Sequence, residues 1–192
     1  MRALCPHCRL SATACLCASA VPLRAATELL VLQHPDEVRH PKNTLRLARL
    51  CLPEIQVRVG ESPQDFADLP QWIGSRRALL CYPDDTSATL EQVAPPELLI
   101  FIDATWRKAY KILQLNPWLQ ALPRCHFDAA PEGDYRLRKT SRAGGLSTLE
   151  AIAYGLNCVE SADYSALNQL QALWVERMQG FMPEDVRQRY EP

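Results

Sequence analysis

The sequence predicts an α/β fold: a mostly parallel sheet with helices on both faces, preceded by a small metal-binding module. Three observations carry this reading. Short apolar runs alternate with amphipathic, helix-length segments along most of the chain, the pattern of strands joined by crossover helices. The apolar runs end in turn-forming, polar loops, where ligand sites gather in such folds. Four of the eight cysteines crowd into one stretch, "CPHCRLSATACLC", near the start.

Taken in order, Cys5 and Cys8 have the two-residue spacing of a zinc knuckle, and Cys15 and Cys17 complete a four-thiolate tetrahedron. His7 is an alternative ligand. Four thiolates leave no open coordination position, so the role expected of the metal is structural. The module is expected over residues 1–22 and the larger domain over 23–192. The other cysteines (Cys51, Cys81, Cys125 and Cys158) stand in apolar surroundings and read as small core residues.

"ELLVLQ" (28–33) is a strand, stopped by His34-Pro35. "NTLRLARLCL" (43–52) is a helix with Asn43 or Thr44 as N-cap. "IQVRV" alternates as a strand; "ALLCYP" (78–83) and "LLIFID" (98–103) are buried strands. "WRKAYK" continues the last of these into a basic helix. "LSTLEAIAYGLNCVE" is a helix entered through Gly144-Gly145 and closed by a capping box, Ser147 with Glu150. Residues 163–181 form a final amphipathic helix, with Leu167, Leu170, Trp174 and Met178 on or near one face.

Composition is that of an ordinary globular protein, 47% apolar and 22% charged over 192 residues. No apolar run approaches the length of a membrane span and no secretory signal is visible, so a cytoplasmic protein without membrane partners is expected. A net charge of −1 gives no argument for nucleic acid. Its distribution is more informative: "YRLRKTSR" holds Arg136, Arg138, Lys139 and Arg142 without an acid, and Arg39, Lys42, Arg46 and Arg49 form a second cluster.

Asp103 ends a buried run and is followed by Thr105 and Trp106. Two readings stand: Asp103 caps the next helix, or it faces a ligand at the strand end. Trp106 reads either as a core anchor or as a site residue. Ser147 and Glu150 have a complete structural explanation in the capping box, although a helix start behind glycines also suits an anion.

"DATW" matches the D-x-T-W motif of the DTW-domain proteins. "CPHC…CLC", "HPDEVRHPKNTLRLARL", "CYP", "YRLRK" and "LSTLEA" stand around it in the family's order, spanning Cys5 to about Tyr154. The sequence resembles the bacterial DTW-domain tRNA-uridine aminocarboxypropyltransferases, departing in Ala104, where glycine is frequent, and in Cys81, where leucine often precedes Tyr-Pro. The resemblance implies a SPOUT-like domain with a C-terminal trefoil knot. It implies transfer of the 3-amino-3-carboxypropyl group of S-adenosylmethionine to N3 of a tRNA uridine, in the variable loop or, in some members, the D-loop. On that reading Asp103 is the general base. Tyr82, Pro83, Thr105, Trp106, Leu137, Leu146, Ser147, Thr148 and Glu150 belong to the loops that hold S-adenosylmethionine. Arg39, Lys42, Asn43, Arg46, Arg136, Arg138 and Lys139 meet tRNA, and Cys5, Cys8, Cys15 and Cys17 hold structural zinc. A monomer is expected. A SPOUT-type RNA methyltransferase and a non-catalytic zinc-containing RNA-binding protein are the alternatives.

Overall fold

The computed structural model describes residues 3–131, 133–135, 137, 145–160 and 162–184. Arg136, Arg138, Lys139 and Arg142 lie outside the described residues. Six strands form one sheet in which every pairing is parallel: β1 (Glu28–Gln33), β2 (Gln56–Val59), β3 (Ala78–Cys81), β4 (Ala88–Thr89), β5 (Leu98–Asp103) and β6 (Arg124–His126), in the order β2-β1-β5-β3-β6-β4. Seven α-helices accompany them among the described residues: α1 (Pro35–Val38), α2 (Leu45–Cys51), α3 (Leu69–Ile73), α4 (Trp106–Leu115), α5 (Pro117–Gln120), α6 (Thr148–Val159) and α7 (Ser165–Gly180).

The pleat sends alternate side chains to opposite faces, which explains why the central strands are apolar throughout. Leu29 and Val31 of β1, with Leu99 and Phe101 of β5, enter one core with α2, α6 and α7. Leu30 and Leu32, with Leu98 and Ile100, enter the other with α3, α4 and α5. The expected two-faced sheet is therefore present. Cys8, Leu10, Ala14 and Leu16 of the cysteine-rich segment are buried in the first of these cores.

Helix α6 lies close over β5. A Cβ built on Gly155 stands 3.2 Å from Phe101 Cζ, 3.6 Å from Leu99 and 3.7 Å from Phe127. Gly155→Val overpacks this contact and is expected to destabilise the fold by about 1–3 kcal/mol, read as a lower urea midpoint with an unchanged slope.

β1 and β5 are read from the sequence to the residue. Other expectations needed correction. Thr44 takes the N-cap position of α2 without a side-chain cap bond, because its hydroxyl accepts from Leu149 N (3.3 Å) and the Asn43 amide is spent on Asp103. The helix expected over 163–181 is Ser165–Gly180; Asp163 instead accepts from Ser165 N (2.8 Å) just ahead of it. The two- and three-residue strands β4 and β6 and the short α1, α3 and α5 are additions.

The strand order fixes where a ligand goes. From β1 the chain crosses to β2 on one side; from β5 it crosses past β3 to β6 on the other. Adjacent strands whose connections diverge leave a crevice at their carboxyl ends. The last residues of the two strands, Gln33 and Asp103, are register partners there.

Candidate active site at the carboxyl ends of β1 and β5

Asp103 is 4% exposed. Its Oδ2 accepts from Gln33 Nε2 (2.8 Å) and Asn43 Nδ2 (2.7 Å), and its Oδ1 accepts from the Thr148 hydroxyl (2.6 Å). These donors come from β1, from the residues before α2 and from the first turn of α6. The simple capping reading of Asp103 is thereby excluded: Thr105 occupies the N-cap position of α4, and the carboxylate bonds elsewhere. Burial raises the Asp103 pKa above the ordinary carboxylate value; Thr148, Gln33 and Asn43 pull it back down, and the Glu37 charge adds to the rise.

Two adjoining cavities open here, the first of them at this carboxylate. The polar one, about 180 Å³, is lined by Asp103, Lys42, Asn43, Thr105, Tyr135 and Ser147, among others. The other, about 380 Å³, is more apolar, with Tyr82, Pro83, Phe101, Phe127 and His126 in its walls. Ala104, Trp106, Gly145, Leu146 and Thr148 border both. Trp106 is half-buried and meets Tyr82 edge-on at 6.2 Å, so it divides the two cavities rather than anchoring a core. A chamber with aromatic walls beside a polar one with a buried acid suits a ligand that is flat and apolar at one end and charged at the other.

Not every residue of the sequence reading reaches these cavities. Tyr82, Pro83, Thr105, Trp106, Leu146, Ser147 and Thr148 line one or both. The Ser147 hydroxyl is engaged twice, accepting from Glu150 N (3.2 Å) and donating to Gln171 Oε1 (2.7 Å). Glu150 lines a different cavity, between α6 and α7, and its carboxylate accepts from Ser147 N (2.7 Å) and Asp134 N (2.8 Å), completing the capping box. Leu137 is fully buried.

Among the basic residues, Arg39 is exposed and Lys42 borders the polar cavity. Arg46 turns inward: it donates to the carbonyls of His40 and Asn43 (3.0 Å from Nε to Asn43) and lies over the Trp174 ring. Asn43 is buried and bonded to Asp103. Both therefore brace the loop beside Asp103. Sequence reasoning missed Gln33 and Tyr135 as site residues. Gln33 carries one signal, an amide that ends the apolar run 29–32.

At the opposite end of the chain, the four sulfurs of Cys5, Cys8, Cys15 and Cys17 lie within 4.8 Å of one another, with Cys5–Cys17 at 3.6 Å and Cys8–Cys15 at 3.8 Å. A tetrahedron with roughly 2.3 Å metal–sulfur bonds has edges of roughly 3.8 Å, so the cluster is of metal-binding size. The turn supplies its own polarisation: the main-chain N–H groups of Cys8 and His7 point at Cys5 and lower its pKa to about 6. Burial and the neighbouring thiols push Cys17 up to about 12. Arg9 turns the chain out of the knuckle at φ 59°. His7 is not among the grouped ligands.

The model of the DTW domain matches residues 2–180. The chain belongs to the DTW domain family. This DTW domain is 31% identical over 167 residues to tRNA-uridine aminocarboxypropyltransferase 2 of Drosophila melanogaster, covering 82% of this chain and 66% of the relative. It is 30% identical over 183 residues to the enzyme of the same name from Macaca fascicularis, covering 88% and 61%. The mouse enzyme is 28% identical over 186 residues. The DTW domain chain thus spans about three fifths to two thirds of the length of these relatives. No solved structure matches it at a significant level.

Proposed function

We propose that the protein transfers the 3-amino-3-carboxypropyl group of S-adenosylmethionine to N3 of a uridine in tRNA, in the variable loop, releasing 5′-methylthioadenosine. The observation that carries this reading is the buried Asp103 carboxylate lining a polar cavity that adjoins an aromatic-walled one, in a chain whose relatives bear that enzymatic name.

When bound, S-adenosylmethionine supplies a sulfonium with an electrophilic γ-carbon. The chain's own residues do the rest. Tyr82, Pro83, Trp106 and Leu146 enclose the adenosine end, with Glu150 fixing the start of α6; Thr105, Ser147 and Thr148 meet the amino-acid end, and the buried Leu137 belongs to the same loop set. Asp103 takes the N3 proton of the uridine, so that the N3 electron pair can form the new N–C bond as the C–S pair returns to sulfur. Two carbons on one sulfonium compete, and regiochemistry follows from which of them the two cavities turn towards Asp103. Arg39, Lys42, Arg136, Arg138 and Lys139 contact the tRNA backbone, as structured RNA is read through phosphates and splayed bases.

The same reading places structural zinc on Cys5, Cys8, Cys15 and Cys17, in a module of residues 1–22 attached to a catalytic domain of 23–192, and a monomer in the cytoplasm. In the same reading the all-parallel sheet belongs to a SPOUT-like domain with a trefoil knot. Among the described residues no helix is long and apolar enough to cross a membrane.

Mass spectrometry of nucleosides from unmodified tRNA, incubated with the protein and S-adenosylmethionine, tests the activity. A uridine heavier by an aminocarboxypropyl group, with 5′-methylthioadenosine, is expected. A methylated nucleoside with S-adenosylhomocysteine would overturn the regiochemistry.

A further inference from the structure

Resting on that reading of Asp103, we propose that Gln33 and Asn43 are positioning residues that saturate Oδ2 of the carboxylate and leave Oδ1 as the atom that receives the proton. An ionised carboxylate offers about four acceptor positions. Among the described residues, Gln33 and Asn43 fill both on Oδ2, and Thr148 fills one on Oδ1. The open position lies on Oδ1, the oxygen tied to the α6 start that borders both cavities.

The two amides are themselves held. Gln33 is the register partner of Asp103 on the adjacent strand, and His34 N bonds the Asp103 carbonyl (3.0 Å). Asn43 is fixed through its carbonyl by Arg46 Nε and through its N–H by the His40 carbonyl (3.1 Å). Their chemistry suits the task. A lysine or arginine in either place would pair with Asp103 and depress its basicity; an amide donates a directed hydrogen bond without adding charge. The donors offset the burial that disfavours the ionised form, so the carboxylate stays available as a base inside the protein.

Among the described residues, the titratable groups around Asp103 are Glu37 from α1, Arg46 from α2, Lys42 and Tyr135 from the bordering loops, and His34 of the adjoining turn, whose ring faces Asp36 and Glu61. Gln33→Leu and Asn43→Ala leave all of them in place. Each variant removes one donor to the ionised form, so the Asp103 pKa rises and the acid limb of activity moves to higher pH.

The test combines ¹³C-carboxyl NMR titration of Asp103 with the pH dependence of kcat, in the wild type, Gln33→Leu and Asn43→Ala. The expected result in either folded variant is an Asp103 midpoint raised by about one unit, a roughly tenfold smaller ionised fraction on the acid side. The kcat limb should follow it, while KM for S-adenosylmethionine stays within about threefold. An unmoved midpoint in both variants, or a loss confined to KM, would overturn the proposal. A wild type that forms no aminocarboxypropyl nucleoside would instead remove the proposed function, and the carboxyl titration would still decide whether the amides set the state of Asp103.

Discussion

Asp103→Asn is expected to lower turnover by about 100- to 10,000-fold while S-adenosylmethionine binds within a few-fold of its wild-type affinity. The substitution conserves shape, and the surrounding network can absorb it. The new amide's oxygen accepts from Gln33 and Asn43 as Oδ2 does, and its nitrogen then faces Thr148. A hydroxyl both donates and accepts, so Thr148 reverses its bond and no buried polar group is orphaned. What the variant lacks is an atom that takes a proton. Isothermal titration with S-adenosylmethionine and single-turnover product mass separate the two effects. Full turnover with normal binding would exclude Asp103 as the base.

The wild-type pH profile carries a second signature of the same residue. Asp103 is raised above the usual carboxylate range, chiefly by burial. A carboxylate base works only when ionised, so on the proposed reading activity is expected above the folded-state pKa and lost as pH falls through it. The acid limb is therefore expected above about 3.9, the value of an unperturbed aspartate, and absent from the residual activity of Asp103→Asn.

How much of this was legible in the sequence depends on the kind of signal. β1 and β5 are six-residue strands built on apolar runs that end at polar residues, and strands buried on both faces announce themselves that way. The capping box at Ser147 is local chemistry and survives intact. β6 has three residues and β4 two, too few for any periodicity to show. The direction of polar side chains is less legible, for a different reason. Asn43 and Arg46 sit in a basic stretch and read as phosphate contacts, yet folding turns them inward, one onto Asp103 and the other onto Trp174. Direction is a tertiary property, and a charge cluster in sequence does not contain it. Gln33 shows the converse, since strand pairing across 70 residues sets it against Asp103.

Removing the four-cysteine cluster is expected to lower stability strongly, and the contacts around it explain why. Replacing Cys8 and Cys15 with serine is expected to abolish a bound zinc, counted by elemental analysis as one per chain in the wild type. It should cost on the order of 4–5 kcal/mol, the range of lost metals and disrupted cores, or roughly 10–20 °C in Tm for a domain of this size. The cluster does not hang free: Cys8, Leu10, Ala14 and Leu16 are buried against the helices on one face of the sheet, and the Cys15 carbonyl accepts from Arg177 of α7. One turn earlier on that helix, Trp174 stacks on Tyr135 (5.7 Å, 14° between planes), with the Arg46 guanidinium 6.0 Å from its centroid. Tyr135 in turn donates to the Lys42 carbonyl (2.7 Å), and Arg46 holds Asn43, which holds Asp103. Loss of the metal should therefore loosen the loop carrying Lys42 and Asn43 before the sheet itself opens. Below its melting temperature the metal-free protein should lose turnover while retaining the far-ultraviolet signature of its helices. A Cys8→Ser/Cys15→Ser protein that melts with the wild type, and a wild type without zinc, would together remove the structural metal. The link from the knuckle to Asp103 would then be one of packing alone.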